Sequence, residues 1–295
     1  MKSKKAKNKP EIKVAKSAGF CFGVRRAVEI ANQALSDPRY KKVYCWGDLI
    51  HNPWVVKNLK QRGLRVVDVL EEIQEGGVFV IRSHGMPQDM LDKISSKNVK
   101  IIDAACPYVK KAQEAAKRMR EEGYHVLIFG NPEHVEVKGI NSAIDYKGSI
   151  ISPEYKRKDL KRFEGEKVAL LSQTTQNKDN FEKLRKELEA IASRVKTEDT
   201  ICGETSKKQK EVKKLAQECD LLIVVGGKNS SNTGKLAKTG TEMGTKTLHI
   251  ESSEELEREM LEGGVKKIAI TGGASTPDEL IAGVENKLKQ MIRNS

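Results

Sequence analysis

Aromatic residues are scarce, 5% of the 295-residue chain, and long apolar runs are missing. The longest purely aliphatic run is Leu221-Leu222-Ile223-Val224-Val225, far short of the roughly 18–20 apolar residues a spanning helix needs. With a mean hydropathy of −0.56, this argues against a membrane protein. No C-x-x-C occurs among the five cysteines, so neither a zinc ribbon nor a local ferredoxin-type ligand run is present. An odd cysteine count disfavours a disulfide framework. No apolar segment follows the N-terminal lysines, which argues against a secretory signal and for the reducing cytoplasm. The Walker A spacing is absent as well.

What the chain does have is charge, a repeat and three well-placed cysteines. The formal net charge is +13, but the first ten residues, MKSKKAKNKP, hold five lysines and no acid, leaving +8 over the other 285. Residues 1–10 read as a disordered, solvated basic tail. No base-stacking aromatic pattern accompanies the lysines, which disfavours nucleic acid. The remaining excess suits an anionic substrate or an acidic protein partner.

Short β-branched runs alternate with longer helical patterns, the signature of α/β units. Three strand-to-helix junctions carry a cysteine: Cys21 after Ile12–Ala15, Cys106 after Val99–Ile102, and Cys202 after Val195–Ile201. A second strand follows each time and ends in Gly47, Gly130 or Gly226, 24–26 residues beyond its cysteine. Polar junctions come next, with His51-Asn52, His134 and Ser230-Ser231-Asn232. Third strands end in Arg82-Ser83-His84-Gly85, Ser172-Gln173-Thr174-Thr175 and Gly272-Gly273-Ala274-Ser275-Thr276. A fixed-order repeat of this kind is a strong organisational signal. It predicts three small α/β domains about a pseudo-threefold axis: residues 11–97 with Cys21, 98–194 with Cys106, and 195–295 with Cys202 and a C-terminal helix. Ligands bind outside the carboxyl ends of strands in such sheets, so these junction residues are expected to line one central cavity.

A single cysteine is usually a small buried hydrophobe; Cys45 and Cys219 are read so. Three at equivalent strand ends point instead to a metal or cluster site. Zinc would want a fourth ligand to close the site, whereas a [4Fe–4S] cluster on three thiolates keeps one iron open as a Lewis acid. His51, His84 and His134 suggest a donor-rich pocket for an anion; His125 and His249 lie in ordinary strand contexts. Gly226-Gly227-Lys228-Asn229-Ser230-Ser231-Asn232-Thr233 and Gly272–Pro277 have the profile of phosphate cradles at helix starts. Glu136, two residues after His134, is a proton donor if burial raises its affinity for protons. Thr174 and Thr175 could position a hydroxyl.

Eight ordered segments resemble the LytB family of 4-hydroxy-3-methylbut-2-enyl diphosphate reductases: AGFCFGV at 18–24, HNPWVV at 51–56, RSHGMP at 82–87, DAACP at 103–107, SQTT at 172–175, TIC at 200–202, GGKNSSNT at 226–233 and GASTP at 273–277. The resemblance runs from about Val14 to Leu288. It implies three α/β domains around one central [4Fe–4S] cluster ligated by Cys21, Cys106 and Cys202, with one open iron. It further implies diphosphate binding by His51, His84, His134, Ser230, Ser231, Asn232 and Ser275. Glu136 is implied as the catalytic acid, with Thr174, chosen over Thr175 by its spacing to Cys202, beside the substrate hydroxyl. The implied activity is the two-electron reductive dehydroxylation that ends the methylerythritol phosphate route and yields isopentenyl and dimethylallyl diphosphates. Its electrons would come from an acidic ferredoxin- or flavodoxin-type donor. Val135 stands where the family usually has proline, Ala105 replaces a usual threonine, and Lys208 replaces a usual arginine. A non-catalytic, metal- or cluster-containing sensor on the same scaffold is the competing reading; it has no need of Glu136 and Thr174.

Overall fold

A computed structural model of the chain describes residues 9–294; the basic tail expected over 1–10 lies, but for its last two residues, outside them. The chain runs from strand β1 (Glu11–Val14) into helix α1 (Phe22–Ser36). Next come β2 (Val43–Trp46), α2 (Pro53–Gln61), β3 (Leu64–Val67), β4 (Val78–Ile81), α3 (Gln88–Ser95) and β5 (Lys100–Asp103). The middle section holds α4 (Pro107–Glu121), β6 (His125–Phe129), α5 (Val135–Ser142), β7 (Ser149–Ile151), β8 (Lys167–Ser172), α6 (Lys178–Glu189) and β9 (Arg194–Thr197). The last holds α7 (Gly203–Glu218), β10 (Leu221–Val225), α8 (Ser231–Glu242), β11 (Lys246–Ile250), β12 (Lys267–Gly272) and α9 (Asp278–Arg293). No helix among the described residues is long and apolar enough to cross a membrane.

The strands form three four-stranded sheets, ordered β3-β2-β4-β5, β7-β6-β8-β9 and β11-β10-β12-β1. Every pairing is parallel. Central strands are apolar throughout because helices cover both faces of a parallel sheet: Val78–Ile81 and Leu221–Val225 are buried at every position. Helices present a narrow stripe to these sheets. In α4 it is Val109, Ala112, Ala115, Ala116 and Met119, a 3.6-residue periodicity, and the last four pack with Val126, Ile128, Ala169 and Leu171.

The expected α/β class and threefold repeat are present in the sheets, but the expected domain limits move. The strand before each cysteine joins the sheet of the preceding repeat: β5 pairs with β4, β9 with β8, and β1 with β12 (Val14 opposite Ile270). The boundaries at 97 and 194 therefore separate paired strands, and residues 11–14 belong with the last sheet. A βαβ crossover returns its second strand to the same sheet, and no local pattern tells a strand which sheet it will join. The chain divides into two compact units. One comprises the described residues up to Cys21 together with those from Lys207 onward; the other is Phe22–Ser206.

Candidate active site

In the unit spanning Phe22–Ser206, strand ends of two sheets bring three imidazoles together. His51 precedes α2, whose first turn is capped by Asn52 Oδ1 accepting from the Val55 amide at 3.1 Å. His84 follows β4, and His134 is the N-cap of α5. The His51 and His84 rings stack with centroids 3.9 Å apart; His134 stands edge-on at 5.4 and 5.9 Å from them. Burial and the nearby Arg82 guanidinium push His51 down to about 4. His84 is also held well below the usual range, from burial first, then from His51, His134 and Arg82. Cations this close repel one another, so at neutral pH both rings are uncharged donors. An anion between them would reverse that balance.

Glu136 lies on the first turn of α5 and is 1% exposed. Its carboxylate accepts from Thr174 twice: the amide reaches Oε1 at 2.6 Å and the hydroxyl reaches Oε2 at 3.0 Å. Its own amide donates to His134 Nδ1 at 3.2 Å, which fixes that ring with Nε2 as the available donor when neutral. The Thr175 hydroxyl accepts from Gln173 Nε2 at 3.1 Å. Gln173, which the sequence reading passed over, is fully buried. Its Oε1 accepts from the Asn131 amide at 3.2 Å and from Gln176 Nε2 at 3.1 Å. An amide inside a run of Ser and Thr at a strand end was the available signal.

All three sequence-selected cysteines stand immediately before a helix: Cys21 before α1, Cys106 before α4 and Cys202 before α7. A helix N-terminus stabilises a thiolate. None of the five cysteines is disulfide-bonded. Cys202 donates its amide to the Thr174 carbonyl at 2.9 Å, linking it to the threonine that binds Glu136. Cys106 donates its amide to the Ser83 carbonyl at 2.9 Å, and its thiol lies in a notch against α1, where a Cβ on Gly23 would sit 2.5 Å from Sγ. Arg26, one turn on, bonds the Ala105 and Asp103 carbonyls, each at 3.1 Å. Lys110, from the basic pair at the start of α4, pairs with Asp103. Cys45 is fully buried in β2, where burial pushes its thiol up to about 12. Cys219 is partly buried beyond α7.

The other unit brings its two Gly-rich turns together. Gly226 has φ +140°, and a Cβ there would lie 2.2 Å from Thr276 Oγ1; Thr276 Oγ1 donates to the Val225 carbonyl at 2.8 Å. A Cβ on Gly273 would overlap the Thr233 hydroxyl. Only glycines allow this approach. Ser230 caps α8, accepting from the Thr233 amide at 3.3 Å; Ser231 is its first residue, and Ser275 is buried between β12 and α9. Asn232 is 4% exposed, and neither its carboxamide oxygen nor its nitrogen has a partner. A buried polar pair left so is costly unless a ligand satisfies it. Lys228 turns away to Glu255 at 2.7 Å. Cys21 adjoins the second turn, its amide donating to the Ala274 carbonyl at 3.0 Å.

Among the described residues no three His, Cys, Asp or Glu side chains are grouped to hold a single metal ion. Cys106 and Cys202, soft thiol donors at helix N-termini of one unit, with Cys106 in a notch that only glycine leaves open, fit an iron–sulfur group, and Cys21 of the other unit is a donor of the same kind.

A family model described as LytB protein matches residues 12–289. The chain belongs to the LytB family. Family relatives include the 4-hydroxy-3-methylbut-2-enyl diphosphate reductase of Aquifex aeolicus, 40% identical over 285 residues, covering 95% of this chain and 96% of the relative. That of Caldanaerobacter subterraneus is 39% identical over 283 residues, covering 95% and 97%. A solved structure of (E)-4-hydroxy-3-methyl-but-2-enyl diphosphate reductase, described as the terminal enzyme of the non-mevalonate pathway, superposes with a TM-score of 0.69 at 40% identity, covering 95% of this chain and 99% of the other. The Plasmodium falciparum reductase superposes with a TM-score of 0.87 at 27% identity, covering 95% and 87%.

Proposed function

We propose that this chain reduces (E)-4-hydroxy-3-methylbut-2-enyl diphosphate to isopentenyl and dimethylallyl diphosphates, the terminal step of the non-mevalonate route. The reaction adds two electrons and two protons, breaks the C4–O bond and releases water. One observation carries the reading: a buried carboxylate, Glu136, bonded through both oxygens to Thr174, whose carbonyl accepts from Cys202. A sensor has no need of such a poised acid.

Glu136 delivers a proton to the departing C4 oxygen, and the Thr174 hydroxyl, already 3.0 Å from Oε2, is the relay. At 1% exposure the carboxyl is shielded from bulk water, so the proton it passes goes to the C4 oxygen and not to solvent. His51, His84 and His134 bind the diphosphate as donors, and charge develops on the imidazoles as the anion enters. Ser230, Ser231, Asn232 and Ser275 are assigned to the same anion, Asn232 gaining through it the partner it lacks. Orienting the diphosphate lends binding energy to the step at C4.

Cys21, Cys106 and Cys202 are assigned as the three thiolate ligands of a [4Fe–4S] cluster. When bound, that cluster supplies the electrons and one open Lewis-acid iron. With a net charge of +13, the chain suits an acidic ferredoxin- or flavodoxin-type donor. Five thiols without a disulfide suit a reducing cytoplasm.

The test is anaerobic iron and sulfide analysis with Mössbauer spectra on wild type and Cys106→Ser, followed by turnover with the diphosphate and a reduced dye. Expected are a cluster with one distinct iron perturbed by substrate, its loss in the variant, and both isoprenoid diphosphates as products. A reconstituted wild type holding only zinc, or an iron protein releasing neither product, overturns the reading.

A further inference from the structure

The basic pair Lys207-Lys208 separates in the structure: Lys207 is exposed, whereas Lys208 is 1% exposed. Its ammonium donates to three backbone carbonyls, those of Ser17, Gly19 at 2.9 Å and Gly272 at 3.3 Å. Three acceptors match the three N–H bonds of an ammonium. One turn along α7, the Glu211 carboxylate accepts from the Lys16 and Ser17 amides, each at 2.8 Å. The turn that follows β1 is thus held from both polarities by two side chains on one helix. That turn is tightly built: Gly19 has φ +102°, and a Cβ there would overlap the Asp278 carboxylate.

Cys21 lies two residues past Gly19, and its amide bonds the carbonyl of Ala274, two residues past Gly272. Lys208 therefore fastens both segments that meet at Cys21. A buried ammonium is a poor choice for stability alone, because an apolar side chain of similar size often serves as well or better. What it provides is fixed geometry at three points of backbone.

We propose that Lys208 is a positioning residue that sets the Cys21 thiol for its iron. This rests on the reading of Cys21 as a cluster ligand. It predicts that the Cys21 turn loosens without Lys208 while the sheets stay intact.

The test uses K208M, E211Q and C21S in the full chain. Hydrogen exchange on the apoprotein reads the Lys16, Ser17 and Cys21 amides; anaerobic reconstitution and Mössbauer spectra read the loaded protein. In K208M those amides exchange roughly tenfold to a hundredfold faster, as loss of a charge-assisted anchor allows, and β10 amides keep wild-type protection. The loaded variant shows a three-iron signature in place of the full cluster. E211Q, which keeps the ammonium but turns one of the acceptor oxygens of the Lys16 and Ser17 amides into an NH2 group, speeds exchange at one of those two amides directly and at Cys21 in weaker form. Wild-type exchange and an intact spectrum in K208M overturn the proposal. So does a K208M chain that unfolds throughout while E211Q keeps the Cys21 turn fully protected, since Lys208 would then be only a core stabiliser. Wild-type iron content in C21S would instead overturn the ligand reading beneath it, a separate failure.

Discussion

Glu136→Gln separates chemistry from structure at one position. The Thr174 amide donates to Oε1 of the carboxylate and the Thr174 hydroxyl to Oε2. A carboxamide of the same shape keeps its oxygen on the amide, which cannot reverse. Its nitrogen then faces the hydroxyl, which rotates to accept. Both hydrogen bonds survive, so the stability cost stays near about 1 kcal/mol, a shift of roughly 2–4 °C in melting temperature for a unit of this size. The acidic proton is gone, however, and general-acid catalysis is worth roughly 10²–10⁴-fold, or about 3–5 kcal/mol at 1.36 kcal/mol per tenfold. The expected profile is a kcat reduced by that factor, a KM near wild type because the histidines are untouched, and full iron content. Anaerobic steady-state assays with reduced dye, run beside thermal melts of the apoprotein, measure all three. Glu136→Ala provides the contrast: similar activity loss, but a further stability loss of about 1–3 kcal/mol from the stranded Thr174 amide. A Glu136→Gln enzyme within about threefold of wild-type turnover would refute the proton-donor role.

Gly23→Ala gains helix propensity of about 1 kcal/mol, yet its methyl would sit 2.5 Å from Cys106 Sγ. Reconstituted iron per chain should fall while α1 stays helical by circular dichroism. His51 binds its proton less tightly folded (about 4) than unfolded (6.5), so the unfolded chain holds more protons between those values. Its contribution, roughly 3 kcal/mol at 1.36 kcal/mol per unit, is complete above pH 6.5 and fades as pH falls toward 4. Urea titrations at pH 7 and 5 should show the drop in wild type and a smaller one in His51→Phe. Diphosphate binding should take up protons near neutral pH, visible by calorimetry in buffers of different ionisation enthalpy; pH-independent binding would contradict the neutral-imidazole account. Asn232→Leu removes a buried carboxamide without partners, so apoprotein stability should hold or rise while KM for the diphosphate increases.

The sequence by itself determined the element types, the threefold order and most of the candidate residues. The reason is local: apolar runs of four or five residues, glycines at strand ends and proline or Ser/Asn caps at helix starts record their environment within a few positions of the chain. Cys21, Cys106 and Cys202 were legible for the same reason, each falling at a strand-to-helix junction. Other features rest on partners far along the chain. That β1 closes the last sheet depends on residues more than 250 positions away, such as Ile270 opposite Val14. Nothing near Glu136 announces that its carboxylate is buried; that follows from Thr174, 38 residues on. Thr174 and Thr175 are chemically alike, and only packing sends the first to the carboxylate and the second to Gln173. Lys207 and Lys208 read as one basic pair until the carbonyls of Ser17, Gly19 and Gly272 close around the second. Strand partners, buried charge and proton affinity are properties of what surrounds a group in space, and only the tertiary structure brings those surroundings together.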